Sequence, residues 1–170
     1  MPIVSTDIKF KLSGGTSNTS PAASLGGARS TAGGGDITPG SANNVWDDVN
    51  ASEASAGDVE YRGLYVLNNH GSLTLQSAKL WIDSLTSSAD TEFDIGLDGT
   101  VGSTAVTVAN ESTAPSGVTF SRPTSKGTGL SIGDMAAGTA QPFWEKRTVS
   151  ASASAASDTG SVRVEGDTAP

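Results

Sequence analysis

The strongest constraint on this chain is its shortage of large apolar side chains: Leu, Ile, Val and Phe together fill only 32 of its 170 positions. A core built from so few residues is small, and the fraction lies just under the roughly 20% that accompanies disorder. Disorder also calls for a high charge density, yet only 16% of the residues are charged and the net charge is −8, against a usual charged share of about 25%. The chain is therefore expected to fold. Its bulk is 25 Ser, 19 Thr, 21 Ala and 21 Gly, small residues that suit short strands, turns and extended arms. Chains divide into several cores only beyond about 250–300 residues, so one domain is expected. Its monomer should be marginal, with association supplying part of the stability.

Several classes are excluded on the same grounds. The start, Met1-Pro2-Ile3-Val4-Ser5-Thr6-Asp7, has no basic stretch leading into an apolar one, so no secretory signal is expected. The longest apolar run is Leu64-Tyr65-Val66-Leu67, far short of the roughly 20 residues of a membrane-spanning helix. The absence of Cys removes disulfides and thiolate metal sites. A pI near 4.4 and ten scattered basic residues argue against nucleic acid, which calls for a concentrated basic face.

Residues 1–57 carry only nine Leu, Ile, Val or Phe and are punctuated by Gly14-Gly15, Gly26-Gly27 and Gly33-Gly34-Gly35. Within them Ile8-Lys9-Phe10-Lys11-Leu12 alternates strictly, the period of a half-buried strand. A strand followed by a long extended arm is expected, the arm up to about residue 40 ordering on assembly, with a flexible tail as the alternative. From Val59 the strand signals recur: Val59 to Asn68, Leu73 to Asp83, Phe93 to Leu97, Val101 to Ala109, Val118 to Phe120, Gly129 to Ile132, Phe143 to Val149 and Ser161 to Glu165. Asn68-Asn69-His70-Gly71-Ser72 reads as a hairpin turn. The alternation slips by one around Gln76-Ser77-Ala78, which predicts a β-bulge. One helix signal stands out, Asn50 to Gly57, with Asn50 as N-cap, Glu53 completing the cap and Gly57 ending it. Ser150 to Ser157 is a low-complexity tract read as a loop. Short strands without crossover helices imply an all-β, antiparallel β-sandwich, jelly-roll or Ig-like, in residues 58–170, behind the strand and extended arm of residues 1–57.

No stretch carries recognisable catalytic chemistry. The sole histidine, His70, lies in a turn with an exposed ring and has no nucleophile elbow beside it. Glu92, Asp94 and Asp98 partly resemble an acidic calcium loop, but Gly96 and Ala105 occupy positions where an EF-hand needs oxygen ligands. They read instead as a solvated strand face followed by a turn at Asp98-Gly99. Gly127-Thr128-Gly129-Leu130-Ser131-Ile132-Gly133 lacks both the spacing and the lysine of a phosphate loop. No cofactor or metal is expected. Trp46, Trp81 and Trp144 suit core or interface burial, or stacking on sugars.

Several stretches together resemble a family of tailed-bacteriophage virion proteins. They are Ile8-Lys9-Phe10-Lys11-Leu12-Ser13-Gly14-Gly15 with Ser17-Asn18-Thr19, Ala23-Ser24-Leu25-Gly26-Gly27, Asn43-Asn44-Val45-Trp46-Asp47-Asp48-Val49, Asp58-Val59-Glu60-Tyr61-Arg62, the run from Val108 to Phe120, and Val164-Glu165-Gly166-Asp167-Thr168. The similarity runs end to end and contains no chemical motif. It implies a non-catalytic capsid decoration (cement) protein, made in the host cytoplasm, that binds the major capsid protein on the outer surface of the virion and stabilises it. It also implies self-association, a trimer being favoured at a local threefold position. On that reading Ile8, Phe10, Leu12, Leu25 and Trp46 are the candidate capsid or subunit contacts. A tail- or baseplate-associated structural protein is the first alternative. A carbohydrate-binding host-adhesion module using Trp46, Trp81 or Trp144 is the second.

Overall fold

A computed structural model describes residues 2–154 and 158–168. Among these residues seven strands form two antiparallel sheets: β1 (Ile8–Leu12), β2 (Asp58–Asn68), β3 (Leu75–Ser84), β4 (Thr91–Leu97), β5 (Leu130–Met135), β6 (Ala140–Val149) and β7 (Ser161–Thr168). The first sheet runs β1-β2-β6-β4 and the second β5-β3-β7, the β-sandwich that the short alternating runs imply. An α-helix, α1 (Ala51–Ala56), begins where Asn50 accepts from the Ser52 and Glu53 amides while Glu53 reaches back to the Asn50 amide. It ends at Gly57 with φ +79°, a conformation that glycine adopts without steric cost.

From β2 onward every connection passes from one sheet to the other. The expected hairpin at Asn68–Ser72 is therefore corrected: it links β2 of the first sheet to β3 of the second. The buried Asn68 amide holds this corner, its Nδ2 donating to the Leu73 and Met135 carbonyls at 2.9 and 2.8 Å. His70 is half-buried rather than exposed, and its Nδ1 accepts from the Ser72 and Leu73 amides. The predicted slip in β3 is present as register shifts between Leu75 and Lys79, with Ser77 at φ +52°.

The main core lies between the sheets and includes Leu12, Leu64, Val66, Leu80, Ile82, Ile95 and Phe143. Ile8 and Phe10 pack against it, Phe10 meeting Phe143 edge-on at 6.0 Å. The alternating face of β1 is thus filled by its own domain, and Leu12 is only 2% exposed.

The other face of the first sheet is covered by irregular chain. Residues 13–35 are irregular, with short helical turns at Pro21–Ala23 and Gly33–Gly35, and fold back over their own sheet, whereas Ile37 and Val45 pack against the main core. Gly63 of β2 donates to the Ser24 carbonyl at 2.7 Å, Gly14 to Gly26 at 2.8 Å and Ser30 to Leu12 at 2.8 Å. Ser13, Ser24 and Ser30 are fully buried, because their hydroxyls sit among backbone groups of neighbouring loops: Ser13 Oγ accepts from the Gly26 amide and Ser30 Oγ donates to the Asn18 carbonyl. Small residues let these strands of coil approach closely. Gly26, at φ +89°, has no room for a Cβ, which would fall 1.7 Å from the Val106 carbonyl oxygen.

Two expected strands are absent among the described residues, for a related reason. Val101 to Ala109 directs its amides to side chains and to this coat: Ala105 donates to Tyr65 Oη and Val106 to Asp98 Oδ2, while Val108 donates to the Leu25 carbonyl. Only a single bridge, Gly27 with Ala105, resembles a ladder. Val118 to Phe120 likewise adds one bridge, through Ser121 to Ile95. Of the Ser150–Ser157 tract, residues 155–157 lie outside the described residues.

Candidate functional site

The least ordinary feature is a group of charges on the inner face of the first sheet. Along β2, Glu60 and Arg62 have the same parity as the core residues Leu64 and Val66; along β6, Glu145 and Arg147 share the parity of Phe143. The register places Glu60 opposite Arg147 and Arg62 opposite Glu145. All four side chains are almost entirely buried.

The cover is the segment just before α1. Trp46 lies beneath both guanidinium groups, with Arg62 Cζ 5.2 Å and Arg147 Cζ 4.9 Å from its ring centroid, within range of cation–π attraction. Its Nε1 donates to Glu145 Oε2 at 3.2 Å. Arg147 donates Nε to Glu60 Oε2 at 2.7 Å and Nη1 to the Asp47 carbonyl at 2.6 Å. Arg62 pairs with Glu111 at 2.5 Å and, more distantly, with Asp47 at 3.9 Å.

Two groups in this cluster are under-satisfied. Arg62 Nε is buried without a hydrogen-bond partner among the described residues, and such a group costs about 1–3 kcal/mol. Glu145 faces Arg62 across the ladder but bonds to Trp46, and burial pushes its pKa up to about 7, the indole hydrogen bond opposing in part. Burial also raises Glu60, against the pull of Arg147. Two open surface hollows lie away from the cluster. One, of about 230 Å³, is lined by Leu85 to Ala89 with Glu92, Phe93 and Arg122. The other, of about 320 Å³, lies beside Arg29, Tyr65 and Thr139. What the cluster can do is therefore hold: it ties the pre-helix segment, β2, β6 and the Glu111 loop into one body.

The remaining candidates are dispersed. Arg122 binds Glu92 Oε1 and Asp94 Oδ1, each at 2.8 Å, which keeps Glu92 below the usual carboxylate range, that hydrogen bond being the largest cause. Asp98 points elsewhere, its Oδ2 accepting from Trp144 Nε1 at 3.0 Å and the Val106 amide at 2.7 Å. Among the described residues no cluster of three or more His, Asp or Glu is arranged to hold a metal ion. Trp144 and Trp81 are 0% and 5% exposed, and Trp46 is half-buried under its arginines, so none presents a bare ring for stacking. Of the candidate contacts, Ile8, Phe10 and Leu12 serve the core, Trp46 covers the charge cluster, and Leu25 is half-buried in the coat. Among the described residues no helix is long and apolar enough to cross a membrane.

The charge cluster escapes a reading based on apolar alternation. It announces itself in the parity of β2 and β6, where an acidic–basic pair continues the core-facing positions of each strand. No family model, curated protein or solved structure matches the chain.

Proposed function

We propose that this chain is a non-catalytic structural subunit of a tailed-bacteriophage particle, bound to the major capsid protein on the outer surface of the head as a decoration protein. The observation that carries the reading is the coat of irregular chain over the first sheet, in which backbone hydrogen bonds between coils, buried serines and close-approach glycines do the work of a third layer. Such a construction spends the chain on a rigid, shallow-featured body with polar and acidic residues outside, which suits a plate lying on a shell. The end-to-end resemblance supplies the phage context.

Co-sedimentation with capsids that lack the protein tests this. Saturable binding, at a fixed ratio to the capsid subunit, is expected. Absence of binding to capsids together with retention on isolated tails would overturn the head location in favour of a tail-associated role.

A further inference from the structure

The sandwich has four sheet edges, and they are not treated alike. At β1, Ile37 donates to the Phe10 carbonyl and Ser30 to Leu12, so the coat closes that edge. At β4, Ile95 and Ser121 exchange both backbone hydrogen bonds at 2.9 Å. β5 is short and its pairing with β3 shifts register on both sides of Ala78, with Gly133 at φ +87°. Covering and bulging are the usual ways of blunting an edge. β7 has neither. Its eight residues pair with β3 alone, and the register shifts in that pairing skip residues of β3, leaving β7 itself regular.

The backbone groups on the open side can be assigned. Ile82 donates its amide to the Pro123 carbonyl at 2.8 Å, so its polar groups turn away from its partner Val162. In an antiparallel pair both members of such a position face outward. Val162, and by alternation Val164 and Gly166, therefore present N–H and C=O groups to the free edge. The side chains of Ser161, Arg163, Glu165 and Asp167 occupy the exposed face of the strand.

We propose that β7 is a self-association edge, at which a second copy of this chain adds its own β7 antiparallel about a two-fold axis through Val164. That axis pairs Val164 with its equivalent and Val162 with Gly166, all positions whose hydrogen-bonding groups face the partner, giving about six intermolecular hydrogen bonds. It sets Arg163 opposite Glu165 twice and Ser161 opposite Asp167, on the closely spaced positions where opposite charges attract. Moving the axis to Glu165 would stack that residue on itself, and moving it to Gly166 would set Glu165 against Asp167. The existing bonds of Arg163 to Asp83 and Glu165 to Lys126 are on the surface and cost little to rearrange. The two three-stranded sheets then run on as one. An isologous contact closes at two copies, in place of the threefold arrangement that the resemblance implies. The pairing needs no capsid, so it stands or falls separately from the decoration reading.

Charge exchange tests it by sedimentation velocity over a concentration series of the full chain. The wild type is expected to dimerise, and Arg163→Glu and Glu165→Arg each to weaken dimerisation at least tenfold. An equimolar mixture of the two variants is expected to dimerise again, since the first carries acids at both positions and the second bases at both, so every facing pair between them is of opposite charge. Restoration by mixing also shows that both variants are folded. A wild type that stays monomeric throughout, an association unchanged by either substitution, or a mixture that fails to recover would each overturn the proposal.

Discussion

The indole of Trp46 donates to the carboxyl of Glu145 across 99 positions of sequence, at 3.2 Å, and this hydrogen bond ties the segment before α1 to the centre of the first sheet. A buried carboxyl that accepts from a neutral indole and, among the described residues, has no cation within ion-pairing distance favours its protonated form.

The first prediction is a pH dependence of stability. Glu145 rises from 4.5 to about 7 on folding through burial, so the folded state binds more protons than the unfolded state between those values. The contribution of this group is then fullest below 4.5 and is lost as pH rises through 7, by on the order of 3 kcal/mol. Glu60, also raised, adds in the same direction. Glu145→Gln should flatten the decline between pH 5 and pH 8 and raise the melting temperature most at pH 8. Parallel curves for the two proteins would mean that Glu145 titrates as it does in water.

Trp46→Ala removes the same hydrogen bond and uncovers Arg62 and Arg147. Loss of half-buried aromatic area and of the cation–π attraction should cost about 2–3 kcal/mol, read as a lower urea midpoint. Trp46→Phe keeps the ring but not the donor, and should recover more than half of that loss.

Much of the sandwich was legible in the sequence because its strands alternate. β1 has the predicted bounds, the β3 bulge sits at the parity slip, and the Asn50, Glu53 and Gly57 signals bracket α1. What was not legible is where backbone groups find partners outside ladders. Val101 to Ala109 has strand-like composition, but Tyr65 Oη and Asp98 Oδ2 take amides that a neighbouring strand would otherwise bind. Serine and glycine segments such as Ser13 to Gly35 carry no hydrophobic period, so nothing in them says that they pack on Gly63. The charge cluster lies between these cases: parity gives its inward direction, whereas the pairing of Glu60 with Arg147 depends on the β2–β6 register.

The coat should be part of the isolated domain. Amides of Gly14, Gly27, Ser30 and Val108, all bonded within the chain, should exchange slowly in the protein free of any partner. Gly26→Ala forces a Cβ to within 1.7 Å of the Val106 carbonyl oxygen at a positive φ, and should speed exchange at Gly14, Gly27 and Val108 with a loss of at least about 2 kcal/mol. Fast exchange at these amides in the wild type would instead return the segment to an arm that orders only on assembly.

The acidic residues around β4 give the last prediction, because their partners separate structural roles from ion binding. Glu92 and Asp94 are held by Arg122, with Lys146 a further 3.7 Å from Asp94, so their charge is already balanced by side chains. Asp98 is committed to the fully buried Trp144 indole and to the Val106 amide. Asp98→Ala leaves two donors without an acceptor and should destabilise by about 1–3 kcal/mol for each donor that water cannot reach. Asp98→Asn keeps one amide oxygen in place and should lose less. Thermal melts with EDTA and with added calcium should coincide for the wild type. A melting temperature lowered by EDTA and restored by calcium, and unresponsive in Asp98→Ala, would show instead that this carboxylate serves a cation.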